Sequence, residues 1–310
     1  MSTFQPYVDM LLPIGSAFYR FLPHPYFPDD AQEVFAMEGG EGFVYKIQHT
    51  GHKTCYALKV LKPGYHDPYV VKVTQCLAQH AAIPGLFLAQ RSCLTREQHP
   101  ELIKRFPDLE YATICPWIEG RTWAGLMLDP HASAQYTLEH ARSLATALAY
   151  VLWNLEAQSL AHTDISGGNV ILGPNFTQVQ LIDLEALYLP GVKLPRKRSQ
   201  GSPGYQHSAL DERGQCRPDG DRFAGAMLLT EMLTWWHPAV RARTPDEAES
   251  LFAPQELQRQ ETPRWHSVRN ALLHINPALL TLFDQAWGSA RLEDCPDFAT
   301  WSMTLVSSFL

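Results

Sequence analysis

No two of the six cysteines stand two residues apart, so the sequence offers neither the paired thiolates of a zinc site nor a thioredoxin-like redox motif. Scattered at Cys55, Cys76, Cys93, Cys115, Cys216 and Cys295, they are expected to be reduced thiols of a cytoplasmic protein. No apolar run approaches the roughly 20 residues that a membrane-spanning helix needs, so no membrane partner is expected. Met1 to Phe18 lacks a basic leading region and is interrupted by Pro6 and Pro13, which excludes the pattern of a signal peptide. Positive charge is also scarce: 25 Lys and Arg against 32 Asp and Glu leave the chain at −7. Nucleic acid is therefore not expected as a main partner, because phosphate backbones are held by clustered cations. Lys193 to Arg198 is the one local exception. The thirteen histidines contain no H-x-x-x-H pair on an evident helix and are expected on the surface and in loops.

What is present is an ordinary globular composition, 45% hydrophobic and 18% charged, in a chain of 310 residues. That length suits one large domain or two compact parts. The first thirty residues carry Pro6, Pro13, Pro23, Pro25 and Pro28 among aromatics and predict an extended surface arm. Strand signals follow over Glu33–Met37, Phe43–Gln48 and Thr54–Leu61, joined by Glu38-Gly39-Gly40-Glu41-Gly42 and by His49-Thr50-Gly51-His52. Glycines between two strands let backbone amides approach a phosphate with no Cβ in the way. In Tyr56-Ala57-Leu58-Lys59-Val60 the two-residue period sets Ala57 and Lys59 on one face, an apolar seat beside an ammonium. Asp67-Pro68 starts a helix expected over Tyr69 to Ala82, stopped by Pro84-Gly85, and Tyr111 to Ile118 reads as a further strand. From Ser133 to Ala157, leucines and alanines recur every three or four positions, which predicts one amphipathic helix.

That helix leads into His162-Thr163-Asp164-Ile165-Ser166-Gly167-Gly168-Asn169, followed by the apolar run Val170-Ile171-Leu172. Fourteen residues after Asn169, Asp183 ends a second apolar run, with Gly173-Pro174-Asn175 as the turn between them. The spacing predicts a hairpin with Asp164, Asn169 and Asp183 at one end. A carboxylate able to accept a hydroxyl proton, beside an amide and a carboxylate able to ligate a hard cation, meets the needs of Mg-nucleotide phosphoryl transfer. Asp183 opens a long loop through Leu210, and Asp221-Arg222-Phe223-Ala224-Gly225-Ala226 begins an apolar helix.

In this order the segments resemble the protein kinase superfamily over residues 33 to 305, and most closely a divergent bacterial group with H-x-D-[IL]-x-x-x-N and a Y-Q-H segment. The resemblance implies an α+β, two-lobed kinase-like fold: an N-terminal arm over 1–30, a β-rich small lobe over 31–119 and a mostly helical large lobe over 120–310. It implies ATP and Mg as cofactors, with Mg-ATP bound between the lobes, and a protein Ser or Thr as the acceptor. Gly39, Gly42 and Val44 fill three positions of the glycine-rich pattern, and Ala57 and Lys59 those of the V-A-I-K strand. Pro116 and Ile118 are then hinge residues, supplying a carbonyl and an N–H to adenine, with Cys115 behind the base. Asp164 is the implied catalytic residue, and Asn169 and Asp183 the implied metal ligands. Gly201 to His207 resembles the end of the activation segment, and Asp221 the residue that holds the catalytic loop backbone. Arg291 takes the place of a structural arginine.

Four positions depart from the family pattern. Met37 replaces a glycine, Gln75 stands where a Glu would hold Lys59, Ser166 replaces a Lys, and Leu184-Glu185 replace Phe-Gly, setting an acid beside the metal. Gln75 and Ser166 favour a nucleotide-binding pseudokinase as the alternative, with a small-molecule phosphotransferase of the same fold as another. Thr163 replaces the Arg that receives an activating phosphate, so Ser199 and Ser202 are expected to be dispensable.

Overall fold

The computed structural model describes residues 4–27, 33–212, 214–242, 249–259 and 261–309. It is a mixed α and β chain built from an antiparallel sheet, a small hairpin and ten α-helices among the described residues. Two compact units divide it. The first holds residues 1–81, 87–118 and 195–197, and the second holds 82–86, 119–194 and 198–310.

The first unit contains strands β1 (Leu11–Ile14), β2 (Ala17–Phe21), β3 (Ala36–Glu38), β4 (Gly42–His49), β5 (Cys55–Leu61), β6 (Ser92–Cys93) and β7 (Thr113–Pro116). It also carries helices α1 (Tyr69–Leu77) and α2 (Pro100–Arg105). The order β1-β2-β4-β5-β7-β6 is antiparallel throughout, with β3 paired to β4. Both β2 and β3 lie on the same edge of β4, opposite Ile47–His49 and Phe43–Tyr45 respectively. They form one strand interrupted by an excursion, which is closed at its base by the Pro23–Val34 bridge.

Leu58 and Val60 on β5, with Tyr45, Ile47 and Ile114, face the core alongside Phe4, Leu12 and Phe21. The proline-rich start is therefore not a surface arm. Its residues 1–3 and 28–30 lie outside the described ones, but Phe4 is buried against Phe21, Tyr45 and Phe106, and Leu11–Phe21 forms a hairpin. Pro13 is accommodated on β1, which ends the sheet, where an N–H can be missing without breaking a ladder.

Gly42 begins β4 opposite Leu61, and a Cβ there would lie 2.3 Å from the Val60 carbonyl oxygen. Close strand approach requires this glycine whether or not a phosphate is ever bound. Gly42→Ala is expected to cost about 1–3 kcal/mol, the usual range for overpacking. A chemical denaturation curve within 0.5 kcal/mol of the parent, to order of magnitude, would show that the strand simply shifts.

The second unit holds α3 (Trp123–Met127), α4 (Pro130–Gln135), α5 (Leu138–Ala157), β8 (Val170–Leu172), β9 (Val179–Leu181), α6 (Arg222–Thr234), α7 (Pro238–Arg241), α8 (Pro263–Ile275), α9 (Pro277–Trp287) and α10 (Phe298–Ser308). The periodic stretch from Ser133 is two helices rather than one. Thr137 caps α5 through His140 N–H, and the chain is extended at Tyr136 between them. α6 is buried over its whole length after Arg222, and it packs on α5 and α9. Arg222 pairs with Glu156 of α5, whose other carboxylate oxygen accepts the N–H that opens α10. No helix among the described residues is long and apolar enough to cross a membrane.

Candidate functional site

In the second unit, the loop before β8 and the turn after β9 are laced together at one end of the hairpin. Val170 pairs with Leu181, and the next residue pair continues as Ile182 N–H donating to the Asn169 carbonyl at 3.0 Å. His162 Nε2 donates to the Ile182 carbonyl at 2.7 Å, while its Nδ1 accepts the Asp164 N–H at 3.3 Å. This pattern selects the neutral tautomer with its proton on Nε2. Thr163 Oγ1 donates to the Ala186 carbonyl, and Tyr188 N–H to the Ala161 carbonyl.

Thr163 and Asp183 both have left-handed backbones, at φ 71° and 62°. A β-branched residue in that region is strained and needs support from its surroundings. Asp221 supplies it: its carboxylate accepts the His162 N–H at 2.5 Å and the Thr163 N–H at 2.8 Å. Burial pushes the Asp221 carboxyl up to about 6, against these N–H groups, which pull it down.

Asp164 is half-buried and held at both oxygens. Oδ2 accepts from Asn169 Nδ2 at 3.1 Å, and Oδ1 accepts from Ser202 Oγ at 2.8 Å. Asn169 Nδ2 also donates to the Asp164 carbonyl at 2.8 Å, which commits the amide nitrogen and leaves the amide oxygen as the atom for a cation. Ser202 is thus part of the loop's hydrogen bonding. Ser166 is buried and its carbonyl accepts the Asn169 N–H, so it brings no cation to the place of the missing Lys. Glu185 is buried as well, and no group of three metal-ligating acids, cysteines or histidines occurs among the described residues. Asp183 brings a carboxylate and Asn169 an amide oxygen to the same end of the hairpin. That set fits Mg, which takes one or two protein oxygens and fills its octahedron with phosphate and water.

A second polar cluster lies behind this loop. Gly167 N–H donates to Tyr205 Oη, which donates to Glu231 Oε2 at 2.7 Å; Trp123 Nε1 donates to the same oxygen, and Leu251 N–H to Oε1. Burial pushes the Glu231 carboxyl up to about 7. A Cβ on Gly167 would come within 3.0 Å of both Tyr205 Oη and Trp123, so the loop passes over this cluster with no room for a side chain. Sequence reasoning missed Glu231. The signal was a single carboxylate inside the apolar run Ala226-Met227-Leu228-Leu229-Thr230-Glu231-Met232-Leu233, since a buried charge must be hydrogen-bonded.

In the first unit, strand register sets Val44, Lys59, Ala57 and Cys115 on the sheet face opposite the core: Val44 pairs with Lys59, and Ala57 with Cys115. Cys115 is buried and its thiol reaches the Ala57 carbonyl at 3.9 Å. Trp117 N–H turns back to the Cys55 carbonyl, following Pro116, and Ile118 N–H has no acceptor among the described residues. Gly39 N–H donates to the Gly42 carbonyl, closing the turn, and Met37 sits opposite Val44, half exposed.

One expectation fails in this part of the fold and one in the second unit. Gln75 is exposed because Val70, Val73 and Leu77 are the buried face of α1, so it is no partner for Lys59. The Lys59 ammonium lies 3.9 Å from Glu41 Oε2, an acid of the glycine-rich turn itself. Arg291 is exposed and pairs only locally, with Glu293 and Asp294.

No protein-family model matches the chain, and no curated protein matches it.

Proposed function

We propose that the two units are the small and large lobes of a protein-kinase-like fold, and that the chain transfers the γ-phosphoryl group of ATP to a protein Ser or Thr hydroxyl. The observation that carries this reading is Asp164, a half-buried carboxylate fixed by donors at both oxygens, at the hairpin end that also bears Asn169 and Asp183. A carboxylate so held keeps lone pairs free to accept a hydroxyl proton while its orientation costs nothing further at the moment of reaction. Asn169 and Asp183 would hold Mg, which would offset the charge of the phosphates. Lys59, with Glu41 beside it, is the cation for the nucleotide phosphates, and Val44, Ala57 and Cys115 form an apolar seat for adenine. Ile118 N–H and the Pro116 carbonyl would read its edge.

The test is labelled ATP with the purified protein and a generic protein substrate, run beside thermal melts. Mg-ATP at a hundredfold excess over its dissociation constant should stabilise the fold by about 2.7 kcal/mol. Absence of any shift at millimolar concentration would remove the nucleotide site. A shift without phosphoryl transfer would favour a second reading, a nucleotide-binding module without catalysis. That reading rests on Ser166, which supplies no cation beside Asp164, and on the exposed Gln75.

A further inference from the structure

The side chain of Lys59, the cation assigned to the phosphates, is only 12% exposed. An ammonium so far withdrawn from water is costly unless an opposite charge faces it. Helix α1 brings none, since Tyr69–Leu77 contains neither Asp nor Glu. The acid that reaches Lys59 is Glu41, with Oε2 at 3.9 Å, and it stands in the glycine-rich turn of the same unit. A carboxylate and a phosphate are both oxyanions that seek the same N–H donors, and their like charges disfavour one another at close range.

The turn is built so that this carboxylate can leave without the turn opening. Gly40 and Gly42 flank Glu41, whose carbonyl accepts the Lys62 N–H at 2.8 Å, while Gly39 N–H closes onto the Gly42 carbonyl at 2.9 Å. The main chain is therefore tied down independently of the Glu41 side chain, which is 36% exposed and has water to rotate into. A second ion pair straps the turn from the other face of the sheet. Glu38 lies opposite Phe43 and pairs with Lys62 at 2.9 Å; the Lys62 ammonium lies over the Phe43 ring and also donates to the Gly39 carbonyl at 2.9 Å. Val44 and Lys59, paired across β4 and β5, belong to the opposite face.

We infer that Glu41 is a resident competitor for the anion site at Lys59: it neutralises the ammonium in the empty protein, and an incoming phosphate group has to displace it. Glu41 thereby sets how tightly polyphosphates bind. The inference takes its meaning from the proposed nucleotide site, but its test does not need adenine to bind.

Isothermal titration calorimetry of the full chain reads it, with inorganic tripolyphosphate in EDTA and, separately, with Mg-ATP. Glu41→Gln keeps the size and shape of the side chain and removes its charge. With a thermal melt like the parent's, it should bind tripolyphosphate at least roughly fivefold tighter, the worth of a partly exposed ion pair. Mg-ATP should gain less, because the metal already cancels part of the phosphate charge that Glu41 repels. Glu38→Gln removes the same charge from the other face and should stay within about twofold of the parent, since solvent and salt screen the longer distance. Adding Lys59→Gln to Glu41→Gln should abolish the gain.

Affinity that is unchanged or weaker in Glu41→Gln, an equal gain in Glu38→Gln, or a gain that survives the loss of Lys59 would overturn the inference. Tighter tripolyphosphate binding in a protein that takes no ATP would leave it standing and remove the nucleotide reading instead.

Discussion

Asp164→Asn is expected to lower phosphoryl transfer by roughly a thousandfold, within the range that a positioned acid or base supplies, while nucleotide affinity stays within a few fold. The side chain's partners make this a clean substitution. Oδ2 accepts from Asn169, and an Asn oxygen can do the same; Oδ1 accepts from Ser202, whose hydroxyl can rotate and accept from an Asn nitrogen instead. Shape and hydrogen bonding survive, and only the capacity to take a proton is lost. Single-turnover transfer measured beside equilibrium nucleotide binding separates the two quantities. Full activity in Asp164→Asn would remove this residue from the reaction. Ser202→Ala takes away one of the two donors and should cost up to about tenfold, or 1.4 kcal/mol. The pair Ser199→Ala, Ser202→Ala should follow Ser202 alone, since Ser199 Oγ only accepts the Gly201 N–H two residues on.

The second large effect concerns Asp221→Ala. Removing the carboxylate orphans the N–H groups of His162 and Thr163, both fully buried, at about 1–3 kcal/mol each. It also releases Thr163 from the support of its left-handed backbone, so transfer should fall at every pH.

The stability gap between parent and variant should depend on pH in a direction opposite to that of an exposed, salt-bridged acid. The folded carboxyl titrates at about 6 against 3.8 when unfolded, so between those values the folded chain binds more protons. The contribution of Asp221 is fully present below about 4 and is lost as pH rises through 6. The cost of Asp221→Ala should therefore be largest below about pH 4 and shrink by on the order of 2 kcal/mol between pH 4.5 and pH 7.5. Glu231, raised to about 7, and His207, lowered by burial, remain in both proteins and cancel in the difference. Urea unfolding at several pH values measures it. A gap that widens with rising pH would show that the folded carboxyl is held below, not above, its ordinary range.

The hairpin that carries Asp164, Asn169 and Asp183 was legible because local signals agreed. Two apolar runs flank a Gly-Pro-Asn turn, and the structure pairs Val170 with Leu181 as that reading requires. Strands β4 and β5 were legible by two-residue alternation, which set Ala57 and Lys59 on one face. Less accessible was anything that depends on which face of an element meets another. Gln75 was chosen by position along α1, whereas the packing of Val70, Val73 and Leu77 turns it to water. Glu41 reaches Lys59 across a turn, and no spacing rule marks that contact. The break at Tyr136–Thr137 was hidden because the apolar period begins only at Leu138, on α5, and marks no start; Thr137 acts as a cap only once His140 folds over it. The proline count of the first thirty residues argued against helix, and it did so rightly, but it could not say that Phe4 and Phe21 would meet in a core.

The interruption between β2 and β3 bears on how this chain tolerates changes in length. Because β2 and β3 pair with adjoining halves of β4 and the Pro23–Val34 bridge ties the two ends of the detour, the ladder is complete before the detour begins and after it returns. Loop closure costs grow only with the logarithm of length, about 0.6 kcal/mol for each doubling. A tag or a small domain inserted beyond that bridge would hang from a fastened neck, so related chains could lengthen here freely while the strands on either side keep their partners.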